Sequence, residues 1–280
     1  MCCFVLTFVA MAVSKLKIGL CLSGGAARGI AHVGVIQALL EAGIEPAVTA
    51  GSSAGSVVGV LYAAGLSPSE MLDFIEQSNF LKLVKFGLPS GGLSRLTFIN
   101  ERLAAVIPEN DFARLKKPLF VTMTNLNSGQ LEVRNSGQLF EVITASCCIP
   151  LVFKPVEIDG HLYVDGGLLS NLPVEPLLTE ADFIIGVNVI PQVVLENKAL
   201  NGVIDIANRC FDLSILANSR PQVSLCDYLV RMEGIGEFGV FQFNRYQEIY
   251  ELGYAEAVRQ MPEILATLKA QEVVVASSSL

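Results

Sequence analysis

One short stretch, Gly51-x-Ser53-x-Gly55, constrains the possible folds of this chain more than any other feature. The run before it, residues 46–50, is apolar and strand-like, and residues 54–64 after it are apolar and free of charge and proline. A serine between two glycines at a strand-to-helix turn is typical of a nucleophile elbow. We therefore expect a side chain at either glycine to clash, and the serine oxygen to lie at a helix N-terminus that favours negative charge. An ordinary Gly/Ser turn before a helix is the alternative, and these five residues alone do not separate the two.

Strand-like and helix-like segments alternate along the chain. The predicted strands are residues 17–22, 46–50, 118–126, 131–134, 156–164 (a hairpin around Asp159-Gly160) and 183–189. The predicted helices are residues 30–42, 54–64, 67–78, 97–106, 138–147, 173–178, 204–217 and 244–260. The third of these helices begins with Ser67-Pro-x-Glu70, which has the form of a capping box. This alternation predicts an α/β fold with a mostly parallel sheet covered on both faces.

Composition excludes several classes of protein. Of the 280 residues, 52% are hydrophobic and 16% charged, which suits one large α/β domain or two small ones. A net charge of −8 argues against a nucleic-acid partner. The seven cysteines form no Cys-x-x-Cys pair and no cluster with histidine, so we predict neither a disulfide scaffold nor a metal site. Because Cys21 falls in a predicted core strand, we expect a reduced thiol and a cytoplasmic location.

The N-terminal segment, residues 1–14, is almost entirely apolar. It is too short to span a membrane, and no Lys or Arg precedes its apolar run as in a signal peptide. We favour an unprocessed N-terminal extension that packs loosely or touches a membrane. Secretion through this segment and a translation start at Met11 are the open alternatives.

Residues 79–96 differ in character from the rest of this acidic chain. Their apolar side chains are interleaved with Lys82, Lys85 and Arg95, and no acidic residue occurs between Glu76 and Glu101. A connector that packs on the core is one interpretation. The other is a cap that contacts an anionic lipid surface, because apolar side chains flanked by Lys and Arg suit such an interface.

A nucleophilic serine requires a base, and the chain has only two histidines, His32 and His161. The α/β-hydrolase order of serine, acid and then histidine cannot be built, because no histidine follows residue 161. His161 and Asp165 lie four positions apart, roughly 13 Å in an extended strand, which is too far for a hydrogen bond. We interpret both histidines as structural and Asp165, which precedes Gly166-Gly167, as the best candidate base. An Asp-Gly pair that only begins a turn is the alternative.

A glycine-rich turn, residues 23–29, joins the first predicted strand to the first predicted helix. A Rossmann fingerprint would need glycine where Ala26 stands and an acidic residue about 20 positions later, and a P-loop would need Gly-Lys-Ser/Thr; none is present. The remaining interpretation is an oxyanion hole that faces Ser53. Its candidate donors are the amides of Gly24, Gly25 and Ala26. Arg28 would orient this loop, contact a phosphate head group or serve the structure alone.

Three motifs, Ser23-Gly-Gly-Ala-Ala-Arg-Gly29, Gly51-Ser-Ser-Ala-Gly55 and Asp165-Gly-Gly167, together resemble those of the patatin-like phospholipase family. The bacterial members related to neuropathy target esterase are the most similar. The resemblance implies a three-layer α/β/α sandwich, Ser53 as nucleophile, Asp165 as base, the loop amides as oxyanion hole, and neither metal nor cofactor. The motif residues that would support the site are Gly29, Gly51, Gly55, Gly166 and Gly167. Ala26 departs from the family, which often has glycine there.

The predicted organisation is an extension at residues 1–14, a catalytic core at 15–190, helical and strand additions to the same domain at 191–270 and a loose tail at 271–280. The predicted function is a serine hydrolase of lipid acyl esters that works through a Ser–Asp dyad and an acyl-enzyme. An acyltransferase with the same dyad and a catalytically idle adaptor are the alternatives. The expected partner is a lipid or acyl-ester substrate, with membrane contact through residues 79–96; the sequence does not indicate an oligomeric state.

Overall fold

A computed structural model describes residues 16–78, 96, 98–192, 194–197 and 200–278, with the backbone alone at residues 204 and 278. The predicted N-terminal extension therefore lies outside the described residues. So does the predicted lipid-facing cap at 79–96, apart from Leu96.

The centre of the structure is an eight-stranded mixed sheet. Its strands are β1 (Ile18–Leu22), β2 (Val48–Gly51), β3 (Leu119–Asn125), β4 (Gln130–Arg134), β5 (Val156–Ile158), β6 (His161–Asp165), β7 (Phe183–Val187) and β8 (Tyr228–Val230). Strands β3, β2, β1, β7 and β8 are parallel and adjacent in that order, whereas β4, β5 and β6 pair antiparallel. The sheet is thus mostly parallel, as the alternation of elements predicts.

Strand β3 brings two distant parts of the chain together. Along one edge it pairs with β2, where Gly51 lies opposite Val121, and then with β6, where Asp165 lies opposite Met123. Because β4 pairs with both Val121 and Met123, it must occupy the other edge of β3. Strands β2 and β6 therefore run toward each other along the same edge of β3. Their last residues, Gly51 and Asp165, lie opposite positions of β3 that are only two residues apart.

Helices cover both faces of the sheet. They are α1 (Ala31–Glu41), α2 (Ala54–Ala63), α3 (Pro68–Gln77), α4 (Phe98–Val106), α5 (Leu139–Ser146), α6 (Val203–Val223) and α7 (Tyr246–Ser278). Alternate residues of β1 divide between two cores: Leu20 and Leu22 join the large core beneath α1, α2 and α7, and Cys21 joins a smaller one with Leu172 and Val174. The predicted three-layer α/β/α fold is confirmed.

Several predicted boundaries need correction, most of them in the C-terminal region. Helix α7 continues to Ser278, through the segment from residue 271 that we expected to be a loose tail, and α6 extends six residues past its predicted end at 217. Strand β8, whose bounds we did not predict, pairs with β7 and so carries the sheet beyond residue 190. The predicted helix at 173–178 is a single 3-10 turn, Glu175–Leu177. Within the described residues, no helix has both the length and the apolar character needed to cross a bilayer.

Candidate active site

Ser53 lies in the turn between β2 and α2, where it is the N-cap residue of α2 with φ of 50° and ψ of −124°. A positive φ is unfavourable for a residue with a side chain, and such strain is concentrated at functional sites. A Cβ atom at Gly51 would lie 2.5 Å from the carbonyl oxygen of Gly55, and one at Gly55 would lie 2.2 Å from that of Leu22. The predicted clashes on both sides of the serine are therefore confirmed.

Asp165 ends β6 and meets Ser53 directly. The Ser53 hydroxyl donates a hydrogen bond of 2.7 Å to Asp165 Oδ2, and the Gly167 amide donates one of 2.8 Å to Asp165 Oδ1. Only 2% of Asp165 is exposed. This burial raises the pKa of Asp165 to about 7, although the hydrogen bonds from Ser53 and Gly167 lower it. A carboxylate with such a pKa can both accept and return a proton near neutral pH.

Neither histidine is hydrogen-bonded to Ser53 or Asp165. His32 is fully buried on α1, and its Nε2 lies 2.9 Å from the carbonyl oxygen of Ser23. Burial lowers the pKa of His32 to about 4, so the ring is neutral and donates from Nε2. His161 is exposed in the β5–β6 hairpin. His32 thus has a structural contact, and His161 lies at an exposed position away from the contacts of Ser53 and Asp165.

A three-residue link that sequence reasoning missed, Ser146-Cys147-Cys148 at the end of α5, touches both Ser53 and Asp165. The Ser53 amide donates to Ser146 Oγ at 2.9 Å, and the Asp165 amide donates to the Cys148 carbonyl oxygen at 3.0 Å. Burial and the nearby Asp165 raise the pKa values of the Cys147 and Cys148 thiols, that of Cys148 to about 12. Both thiols are therefore neutral. No signal in the sequence marks Ser146, because a serine that ends a helix before proline is common.

The glycine-rich turn requires one correction. The amide of Gly24 donates to the carbonyl oxygen of Asn171 at 3.1 Å, so it is already occupied and cannot serve as an oxyanion donor in this conformation. Within the described part of the chain, the amides of Gly25 and Ala26 donate to no protein acceptor, and both residues line the same cavity as Ser53. Ala26 has a φ of 49°, which explains why glycine would fit this position well.

Arg28 anchors the same turn to the C-terminal region. Its Nε donates to the carbonyl oxygen of Phe238 at 2.7 Å, and the amide of Ala27 donates to that of Val240 at 3.0 Å. Burial lowers the pKa of Arg28, and the charge of Asp212 on α6 opposes this effect. Of the predicted roles of Arg28, orientation of the loop is therefore the one with visible contacts.

A cavity of about 400 Å³ lies over Ser53 and Asp165. Its walls are mainly apolar, and most of them come from residues after 190. These include Leu195, Phe211, Ile215, Leu216, Val240 and Phe241. Among the described residues, the charged side chains that line it besides Asp165 are Arg28, Arg209 and Asp212. Among the residues that the structure describes, no group of three His, Cys, Asp or Glu side chains is placed to hold a metal ion.

The fold and the site define a class of protein: a three-layer α/β/α protein in which Ser53 and Asp165 are paired beneath a largely apolar cavity. The chain belongs, more particularly, to the patatin-like phospholipase family, whose model matches residues 20–178. The resemblance that we drew from three motifs is thereby confirmed.

Individual relatives agree with this family. An uncharacterized NTE family protein of Mycobacterium tuberculosis is 35% identical over 178 residues, which cover 62% of this chain and 49% of the relative. Lysophospholipase NTE1 of Mycosarcoma maydis is 31% identical over 283 residues, which cover 87% of this chain and 14% of the relative. The chain therefore spans about half the length of the mycobacterial protein and a small part of the fungal one. Among solved structures, VipD from Legionella pneumophila aligns over 92% of this chain and 67% of its own, with a TM-score of 0.49 and 17% identity.

Proposed function

We propose that this protein hydrolyses lipid acyl esters through Ser53 and Asp165. The observation that carries the proposal is the 2.7 Å hydrogen bond from the Ser53 hydroxyl to Asp165 beneath a largely apolar cavity. Membership of the patatin-like phospholipase family supports a lipid substrate, and the fungal relatives named lysophospholipases support a phospholipid with an ester bond.

The first half-reaction forms an acyl-enzyme. Ser53 Oγ attacks the ester carbonyl carbon while its proton passes to Asp165 Oδ2. The negative oxygen that develops accepts hydrogen bonds from the free amides of Gly25 and Ala26, each worth roughly 3–4 kcal/mol of barrier lowering by analogy with other oxyanion holes. When the carbon–oxygen bond of the ester breaks, Asp165 returns the proton to the leaving alcohol.

The second half-reaction releases the fatty acid. Asp165, again ionised, takes a proton from a water molecule that attacks the acyl carbonyl of Ser53. The second tetrahedral intermediate then collapses, the proton returns to Ser53 Oγ, and the carboxylic acid leaves. The position of Ser53 at the N-terminus of α2 favours the negative charge of both intermediates.

Membrane contact through residues 79–96 and a cytoplasmic location stay predictions from the sequence. Acyl transfer to an alcohol or lysolipid by the same residues is the second candidate function. It would differ only in the group that attacks the acyl-enzyme, and product analysis with and without an added acceptor separates it from hydrolysis.

The test is a panel of phospholipids, lysophospholipids and p-nitrophenyl esters, measured with the native protein and with Ser53→Ala. We expect fatty acid release from at least one lipid ester by the native protein, and a loss of at least about 10³-fold in Ser53→Ala. Equal activity of the two proteins, or no turnover of any ester by the native protein, would contradict the proposal.

A further inference from the structure

Three polar side chains form a stripe along α6, outside the region that the family model matches. Ser214, Asn218 and Gln222 are spaced four residues apart and therefore lie on one face of the helix. Each is hydrogen-bonded to the backbone of the segment that follows Asp165, residues 167–174. We call these three residues the α6 stripe.

Asn218, the middle residue of the α6 stripe, makes the most of these bonds. Its Nδ2 donates to the carbonyl oxygens of Gly167 at 2.9 Å and Leu168 at 3.2 Å, and its Oδ1 accepts from the amide of Asn171 at 2.9 Å. Ser214 Oγ donates to the carbonyl oxygen of Leu168 at 2.7 Å. Buried backbone groups in an irregular segment need such partners, because no strand or helix supplies them.

Only one residue, Gly167, lies between the side chains of Asn218 and Asp165 in this chain of hydrogen bonds. The Gly167 carbonyl oxygen accepts from Asn218, while the Gly167 amide donates to Asp165 Oδ1 at 2.8 Å. Gly167 is thus held from both ends, and the direction of its amide depends on the contact with α6.

A second path leads from Asn218 to the glycine-rich turn. Asn171, whose amide is bonded to Asn218, accepts the amide of Gly24 on its own carbonyl oxygen at 3.1 Å. Only 1% of Asn171 is exposed, and a Cβ atom at Gly24 would lie 2.4 Å from Asn171 Oδ1 and 3.1 Å from Ser53 Cβ. The amide of Gly24, directly before Gly25, is therefore linked by hydrogen bonds to Asn171 and then to Asn218. Through Asn218 it is connected to the turn after Asp165.

We propose that Asn218 is a positioning residue that holds the turn after Asp165 and the glycine-rich turn in their mutual alignment, with Ser214 in support. The inference rests on the proposed function, because it assigns Asn218 to the same reaction. Under this proposal, α6 supports catalysis as well as lining the cavity. Asn218 itself is not one of the residues that line the cavity.

The test compares Asn218→Ala and Asn218→Leu with the native protein. Leucine keeps the branched shape of asparagine with a somewhat larger volume and removes every side-chain hydrogen bond, so it fills the space that alanine would leave empty. We expect kcat to fall by about 10- to 100-fold with KM changed by less than about threefold, since removing an aligning contact acts on the transition state. Ser219→Ala is the matched control, because Ser219 is buried on the same helix and its hydroxyl donates within α6, to Ile215 at 2.7 Å.

The pH profile separates positioning from mere stabilisation. The amide of Gly167 lowers the pKa of Asp165, so loss of Asn218 should weaken that bond and move the acidic limb of kcat/KM to higher pH. The groups that face Asp165 are Ser53 and the thiols of Cys147 and Cys148, which stay neutral over this range. Ser219→Ala should keep the native kcat and the native acidic limb of the kcat/KM profile.

Two outcomes would overturn the inference while leaving the proposed function intact. One is native kcat and a native acidic limb in folded Asn218→Leu. The other is an equal loss of kcat in Ser219→Ala, which would show a general effect of α6 stability. Absence of turnover in the native protein would instead count against the proposed function.

Discussion

The region up to residue 190 and the region from 191 to 278 contribute differently to one cavity. The first carries Ser53, Asp165 and the free amides of Gly25 and Ala26, all at the ends of strands or in the turns that follow them. The second supplies most of the apolar wall and the contacts that hold the turns from outside. The candidate reactive groups of this fold therefore lie in short motifs, whereas their alignment and the shape of the cavity depend on helices without a motif.

The strongest loss of activity is predicted at Asp165, in the first region. Asp165→Asn should lower kcat by about 10³-fold or more, because the amide cannot accept the Ser53 proton. The protein should stay folded, since asparagine has a similar shape and still offers an oxygen to the Gly167 amide. Esterase assays together with circular dichroism check both points; near-native turnover in a folded variant would place the base elsewhere.

The second expected effect concerns pH. The pKa of Asp165 is raised from 3.8 to about 7, and the base must be ionised to act. Activity should therefore be half-maximal near pH 7, approach its full value about one unit above it, and fall about tenfold for each unit below about pH 6, whereas an ordinary carboxyl would keep the enzyme active to about pH 4. The measurement is kcat/KM from pH 4 to 9 on an ester that does not titrate. A flat profile down to pH 5 would contradict the role of burial at Asp165.

A smaller effect is expected at Ser146, which belongs to the first region but lies in no recognised motif. Ser146→Ala removes the acceptor of the Ser53 amide and should lower kcat by about 10- to 100-fold. Ser78→Ala is the control, because Ser78 is also a buried serine at a helix end and its hydroxyl donates to Phe74. If both variants lost the same small amount of activity, the link at the end of α5 would have no special relation to Ser53.

The smallest effect is expected at the cavity wall that the second region supplies, and it should appear as selectivity for the acyl chain. Leu216 lines the cavity, so Leu216→Trp should lower kcat/KM for long-chain p-nitrophenyl esters by about tenfold and leave short-chain esters within about twofold. Leu213→Trp on the same helix is the control, since Leu213 is 48% exposed and does not line the cavity. Equal losses on short and long esters would contradict a role of Leu216 that is confined to binding the acyl chain.

Much of the first region was predictable, for physical reasons. Gly51 and Gly55 are required by close backbone contacts, and the strand and helix on either side of them have clear apolar runs. The absence of a usable histidine left Asp165 as the best candidate base. The role of Gly24 was not predictable, because glycine-rich spacing does not show which amide is already bonded; here Asn171 occupies it.

Most of the second region could not be predicted in the same way. Asn218 and Ser214 act through hydrogen bonds to a distant turn, and a polar residue every fourth position is equally typical of a solvated helix face. Strand β8 has only three residues and takes its conformation from pairing with β7. Contacts of this kind depend on tertiary structure and leave little trace in local sequence.

Covalent labelling shows whether Ser53 is the nucleophile. An alkyl fluorophosphonate should add once per chain to the native protein, with peptide mass spectrometry locating the adduct on Ser53. Ser53→Ala should remain unlabelled, and labelling of the native protein should slow below pH 7 as Asp165 takes up its proton. No labelling of the native protein, or an adduct on another residue that persists in Ser53→Ala, would show that Ser53 is not the nucleophile.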